Sequence, residues 1–422
     1  MTTAAAKRQR VGDAAARAGV GALLDRVRSG RINVVEGARE RSYGPAGADL
    51  RATVTINDPA AWRGPLRGSV GLGEAYVDGL WETDDLVALV QIAARELRQM
   101  DGLRGAVARP RGLWHRVRHL VPENTRPGAR RNISAHYDLG NDLFAAFLDE
   151  RMMYSCAYFP DAAASLEEAQ LAKLDRICER LRLGPENHLL EIGTGWGGMA
   201  MHAARRSGCR VTTTTISREQ FELARARVRD AGLEDQVTVL LQDYRDLRGR
   251  FDRLVSVEMI EAVGWQYFDD YFRRCDELLS GDGLMLLQAI TIDDRAYEVE
   301  KASRSFIKEH IFPAGCLPSV EVISRCLARV TDMRVVGLED ITAGYPETLA
   351  AWRKRFLANA DRLGELGYDR RFRRLWALYL CWCEGGFRER RIGDVQVLAA
   401  KPRYRGDGRR ARRTAAPGLA TA

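Results

Sequence analysis

The chain has 422 residues, 46% apolar and 29% charged, enough for two or three globular domains with ample cores and unlike a disordered chain. Its net charge of +8 points to anionic surroundings such as phosphate on a lipid surface or nucleic acid. No run of eighteen apolar residues predicts a transmembrane helix. The eight cysteines and six histidines are too scattered for a metal site, and the thiols are expected to be reduced.

The first residues show no continuous apolar stretch with a cleavage site, so a secretory signal is not expected, and an amphipathic helix is predicted over 20–27. RINVVEG (31–37) and ATVTIND (52–58) alternate apolar and polar residues, as strands do. A Gly-rich turn near residue 70 leads to a helix carrying Ala75 and Tyr76. A second helix places Leu86, Leu89, Val90 and Ala93 at helical spacing. Residues 104–131 hold eight arginines around amphipathic LWHRVRHLV (113–121), either a solvated linker or a segment that lies on a membrane. Three units are expected: an N-terminal lipid-docking domain with its basic linker (1–125), a catalytic domain (126–402) and a basic tail (403–422).

From residue 132 onward strands and helices alternate. Strands are predicted over 188–193, 210–215, 237–242, 253–258 and 284–290, and helices over 165–182, 197–207, 217–231 and 266–279. This succession predicts an α/β fold, a mostly parallel sheet with helices on both faces.

The sharpest local signal is LLEIGTGWGG (189–198), a buried strand running into glycines and then a helix. A dinucleotide or an adenosylmethionine would each suit such a turn. The spacing misses the dinucleotide fingerprint, and the second strand ends in TTISREQ (214–220) with no acid at its tip for ribose hydroxyls. Asp243, ending the third strand, is placed to meet an adenine amino group or is an ordinary strand-end carboxylate. Glu258 and Glu261 stand three apart and share a face if a helix begins there, where one could cap it. Cys156, taken alone, reads as a small buried hydrophobe.

The segments HYDLGNDLFAAFLDERMMYSCAYF (136–159), LLEIGTGWGG, TTISREQ, SVEMIEAVG (256–264) and FPAGCLPSV (312–320) occur in this order. Together they resemble the cyclopropane-fatty-acyl-phospholipid synthase family, which includes mycolic acid cyclopropane synthases and tuberculostearic-acid-type methyltransferases. The resemblance spans roughly residues 70–400 and implies a Rossmann-like methyltransferase fold that uses S-adenosylmethionine. It implies that Tyr154 and Ser155 close over that cofactor and that Gly193 and Gly195 lie against its amino acid part. Thr215, Ile216 and Gln220 would hold the ribose side, and Asp243 and Tyr244 would flank the adenine.

The implied reaction adds a one-carbon unit to the cis double bond of an unsaturated acyl chain in a membrane phospholipid, giving a cyclopropane. An isolated alkene is a poor nucleophile, so the sulfonium methyl must carry the activation. Methyl transfer leaves a carbocation, which calls for water exclusion, aromatic faces and a base. The resemblance implies bicarbonate as that base, held by Cys156, Glu261, the backbone at Ile290, and Tyr345. Gln288 stands where many members have histidine. The resemblance implies that glutamine at this place also occurs in relatives that make methylene-branched chains, so a 10-methylene product is the second expectation. The expected setting is cytoplasmic, peripheral on an anionic inner membrane face and without nucleic acid, and a homodimer is within the family's range. A methyltransferase of small molecules or RNA would leave the first and last of the five segments unexplained, and against a non-catalytic basic protein that binds lipid or nucleic acid stand the intact glycines, Gln220 and Glu261.

Overall fold

The computed structural model describes residues 3–99, 139–301 and 303–406, with side chains from residue 12 onward. The first sheet is built from β1 (Arg31–Glu36), β2 (Arg39–Tyr43), β3 (Arg51–Ile56) and β4 (Trp81–Thr83), in the order β2-β1-β3-β4. The two segments whose alternation predicts strands, β1 and β3, pair in parallel, and β2 and β4 add antiparallel edges. Ile32 and Val34 bury one face against Val20, Trp62 and Ile92. The first helix runs over Thr3–Leu24, well beyond the predicted 20–27, and Ala16 and Val20 carry its buried side.

The second sheet has seven strands: β5 (His188–Ile192), β6 (Arg210–Thr215), β7 (Val237–Leu241), β8 (Phe251–Val257), β9 (Leu279–Ile292), β10 (Arg334–Asp340) and β11 (Ile392–Ala400). Their order is β10-β11-β9-β8-β5-β6-β7. The five strands from β9 to β7 are parallel, while β11 and β10 join antiparallel. This is the mostly parallel α/β sheet that the alternation predicts. The helices fall close to expectation, at Leu166–Leu181, Gly198–Ser207, Arg218–Asp230 and Phe268–Leu278. Helix Leu166–Leu181 opens on a capping box: the Glu168 N–H donates to Ser165 Oγ and the Ser165 N–H to Glu168 Oε2.

Strand order reverses between β5 and β8, and a doubly wound sheet opens a crevice at the carboxyl ends of its strands at such a switch point. The first sheet sits against helix Arg370–Arg388. Arg374 donates to the carbonyls of Tyr76 and Trp81 and lies 4.2 Å from the Tyr76 ring centroid. Phe306 is fully buried among Ala75, Trp81 and Leu378. The basic stretch 104–131, the HYD tripeptide (136–138) and the tail beyond residue 406 lie outside the described residues. Among the described residues no helix is long and apolar enough to cross a membrane.

Candidate active site

At the switch point β5 ends on Ile192, and the chain turns through Gly193 at φ +101°, a conformation that side chains avoid. The N–H groups of Gly193 and Thr194 both donate to the Thr214 carbonyl, at 3.0 and 3.1 Å, and tie this turn to the end of β6. Beside it opens a cleft with about 1140 Å³ of empty volume, part of it facing solvent. Tyr154, Ser155, Gly193, Gly195, Thr215, Ile216, Gln220, Asp243 and Tyr244 all line it, so the structure brings the nine residues expected at the cofactor to one place.

Their hydrogen bonds refine the picture. Gln220 Oε1 accepts from the Thr215 hydroxyl at 2.8 Å, which leaves the amide N–H groups as donors for a ligand hydroxyl. Both Asp243 oxygens are engaged by the Arg245 guanidinium, at 2.9 and 2.7 Å, so an adenine amino group would have to share them. Ser155 Oγ accepts from Lys173 Nζ at 2.6 Å, and that lysine is fully buried. Glu191 also lines the cleft, where burial pushes its carboxyl up to about 8 although the Thr213 hydroxyl donates to it at 2.6 Å. Sequence reasoning missed Lys173 and Glu191. The signal for Glu191 was a lone acid in the apolar strand LLEI.

A second polar group shares a wall with this cleft. Glu258 follows β8 directly and holds φ +48°, a left-handed conformation that is strained for a residue with a side chain. Glu258 lines the cleft, and its carboxylate gathers donors on both oxygens. Oε1 accepts from the Cys156 N–H and Gln288 Nε2, each at 2.8 Å, and Oε2 accepts from the Tyr345 hydroxyl at 2.5 Å. Glu261 lies in a 3-10 turn, Ile260–Ala262, so no α-helix begins there for the two acids to share. Its Oε1 accepts from the Ile290 N–H at 2.5 Å, and its Oε2 has no partner among the described residues. Burial and the nearby Glu258 push Glu261 up to about 8.

Three further features complete the cluster. Asp394, on β11 opposite Ile290 of β9, is fully buried and accepts from Gln288 Nε2 at 3.1 Å. Burial and Glu258 raise its carboxyl well above the usual range. The Cys156 thiol is turned to the carbonyls of Ala157 and Ile341, and burial raises it so that it stays a thiol. Tyr345 is likewise held as a phenol by burial and by Glu258. It can reach Glu258 because residue 344 is glycine, where a Cβ would stand 2.1 Å from the Ala157 carbonyl oxygen. Aromatic rings pack around it: Phe387 stacks on Tyr345 with centroids 4.0 Å apart, and the Tyr154 and Tyr379 hydroxyls lie 2.6 Å from each other.

Cys156, Gln288 and Tyr345 are therefore brought together, but on Glu258, while the Ile290 N–H serves Glu261. The sequence reading names Glu258 only as sharing a face with Glu261 or capping a helix, and it does not single out Asp394. The polar pair Asp394 and Gln396, two apart in the otherwise apolar strand IGDVQVLAA, was the available signal.

The model of the mycolic acid cyclopropane synthetase family matches residues 124–397. The chain belongs to that family. Its members are S-adenosylmethionine-dependent methyltransferases, and so is this chain. It is 41% identical over 369 residues to the cyclopropane-fatty-acyl-phospholipid synthase of Escherichia coli K12, covering 85% of this chain and 89% of that one. It is 40% identical over 343 residues to a tuberculostearic acid methyltransferase of Mycobacterium tuberculosis, with 78% of each covered. Among solved structures, a mycolic acid cyclopropane synthase in complex with SAH and CTAB superposes with a TM-score of 0.60 at 31% identity, over 64% of this chain and 98% of that one.

Proposed function

We propose that the chain transfers a one-carbon unit from S-adenosylmethionine to the cis double bond of an unsaturated acyl chain in a membrane phospholipid, giving a cyclopropane. The observation that carries this reading is Glu258, which belongs at once to the cofactor cleft and to a buried polar cluster lined by aromatic rings. When bound, S-adenosylmethionine supplies an electrophilic methyl on sulfur. The chain's own residues do the rest. Gln220 offers N–H groups to a ribose hydroxyl, and the glycine turn lets the cofactor approach the backbone. The ring of Tyr154, which lines the cleft, suits a cationic acyl carbon, and the stacked Tyr345 and Phe387 behind it keep water away.

A second reading, a 10-methylene chain, is favoured by Gln288. The product depends on whether the base removes a proton from the transferred carbon or from a neighbouring one, and Gln288 orients the carboxyl groups there. Bicarbonate, the expected base, would find its expected donors already engaged, with Glu261 Oε2 left without a partner among the described residues. Tyr345 and Gln288 donate to Glu258, Ile290 donates to Glu261, and the Cys156 thiol is given to two carbonyls.

The test is lipid analysis after expression in a bacterial host that leaves its acyl chains unmodified. Acyl chains heavier by one CH₂ are expected, and locating the added carbon separates ring from methylene. Unmodified lipids beside folded, cofactor-binding protein would refute the reading. For access to the bilayer we look to the arginine-rich stretch 104–131. Binding to anionic vesicles is expected to weaken as salt rises, and salt-independent binding would count against it.

A further inference from the structure

We propose that the Glu258 carboxylate is itself the base of the reaction and occupies the place expected of bicarbonate. The proposal rests on the acyl methyl-transfer reading above and deepens it. Three donors from three separated segments, the Cys156 N–H, the Gln288 amide and the Tyr345 hydroxyl, converge on its two oxygens within 2.8 Å. Such an array fixes the plane and position of a carboxylate as it would those of a small planar anion. Glu258 is also the member of the cluster that lines the cofactor cleft.

The backbone agrees. A left-handed φ of +48° at a residue with a side chain persists where its surroundings enforce it, and here it aims a carboxylate rather than leaving room for a ligand. The neighbouring acids argue the same way. Burial and Glu258 push up both Glu261 and Asp394, which is how acids respond when they share a buried space with one negative group, and a further anion would have to enter that space beside it.

The step balances without another reactant. The S–CH₃ bond breaks with its electron pair left on sulfur, while the alkene pair forms the new C–C bond. A cation remains on the adjacent acyl carbon. Glu258 takes a proton, and the released C–H pair closes either a ring bond to the cation or a new double bond. The proton resides on Glu258.

The test uses the purified full chain, S-adenosylmethionine and vesicles of unsaturated phospholipid, in buffer freed of carbon dioxide and in the same buffer with added bicarbonate. Wild-type rates are expected to agree within about twofold between the two conditions. Glu258→Gln is expected to lose about a hundredfold or more in rate. Calorimetry should find its S-adenosylmethionine affinity within about threefold of wild type. Glu258→Gly, which relaxes the backbone and opens space, is expected to regain activity only when bicarbonate is added.

Wild-type activity that collapses without bicarbonate and returns with it would overturn the proposal. So would a Glu258→Gln enzyme that keeps more than a tenth of the wild-type rate, or bicarbonate-independent activity in Glu258→Gly. Should the variants not fold, the wild-type response to bicarbonate decides alone. A wild type that modifies no lipid is a different failure, that of the broader reading.

Discussion

Tyr345 tests the site at the scale of one atom. Its hydroxyl donates to Glu258 Oε2 while its ring stacks on Phe387, so Tyr345→Phe removes the donor and keeps the packing. A hydrogen bond to a charged acceptor is worth about 1.5–3 kcal/mol, so kcat is expected to fall at least tenfold with the KM for S-adenosylmethionine unchanged. Steady-state kinetics on both substrates would show it, and a rise in KM at constant kcat would place Tyr345 in cofactor binding instead. At this scale the cofactor residues were legible because each lies in a short segment, and the turn at Gly193 needs only local geometry. Glu258 was not. Its donors stand 102, 30 and 87 residues away, and neither its left-handed backbone nor their convergence leaves a mark in SVEMIEAVG beyond two acids three apart.

Among the elements, a chain of side chains crosses from helix Leu166–Leu181 through β11 to β9. Arg180 Nη1 donates to Gln396 Oε1 at 3.0 Å, and Gln396 Nε2 donates to Gln288 Oε1 at 3.1 Å. Gln288 Nε2 then donates to Glu258. Arginine has no acceptor, so it sets the orientation of the first amide, which sets that of the second. Arg180→Met frees both amides to turn over, and kcat is expected to fall severalfold at unchanged cofactor KM. Arg180→Lys, still donor-only, should retain most of the wild-type value. Equal losses in the two variants would mean that Arg180 only packs. β10 and β11 escaped the strand pattern for related reasons. β11 buries Asp394 and Gln396, which breaks its apolar run, and β10 is an edge strand with Val335, Val336 and Leu338 exposed.

For the whole molecule, the five parallel strands were legible because buried strands alternating with helices have one common solution, and the antiparallel additions were not because their contacts are long-range. Two carboxyls buried at the carboxyl ends of this sheet, Glu191 and Glu261, give stability a pH dependence. Each is raised from 4.5 to about 8. Below 4.5 both the folded and the unfolded chain hold the proton, and the contribution is fully present. As pH rises toward 8 the unfolded chain loses protons that the folded one keeps, so stability falls. His188 and His202 oppose this at lower pH, since burial depresses both and their unfolded value is 6.5. The histidines' opposition fades as pH rises past 6.5, so the carboxyls dominate increasingly toward about 8, where the melting temperature is expected to drop by several degrees. Glu191→Gln and Glu261→Gln carry no titrating proton, so each should flatten that slope. Thermal melts from pH 6.5 to 8 on the three proteins decide it, and identical slopes would mean that neither carboxyl keeps its proton on folding.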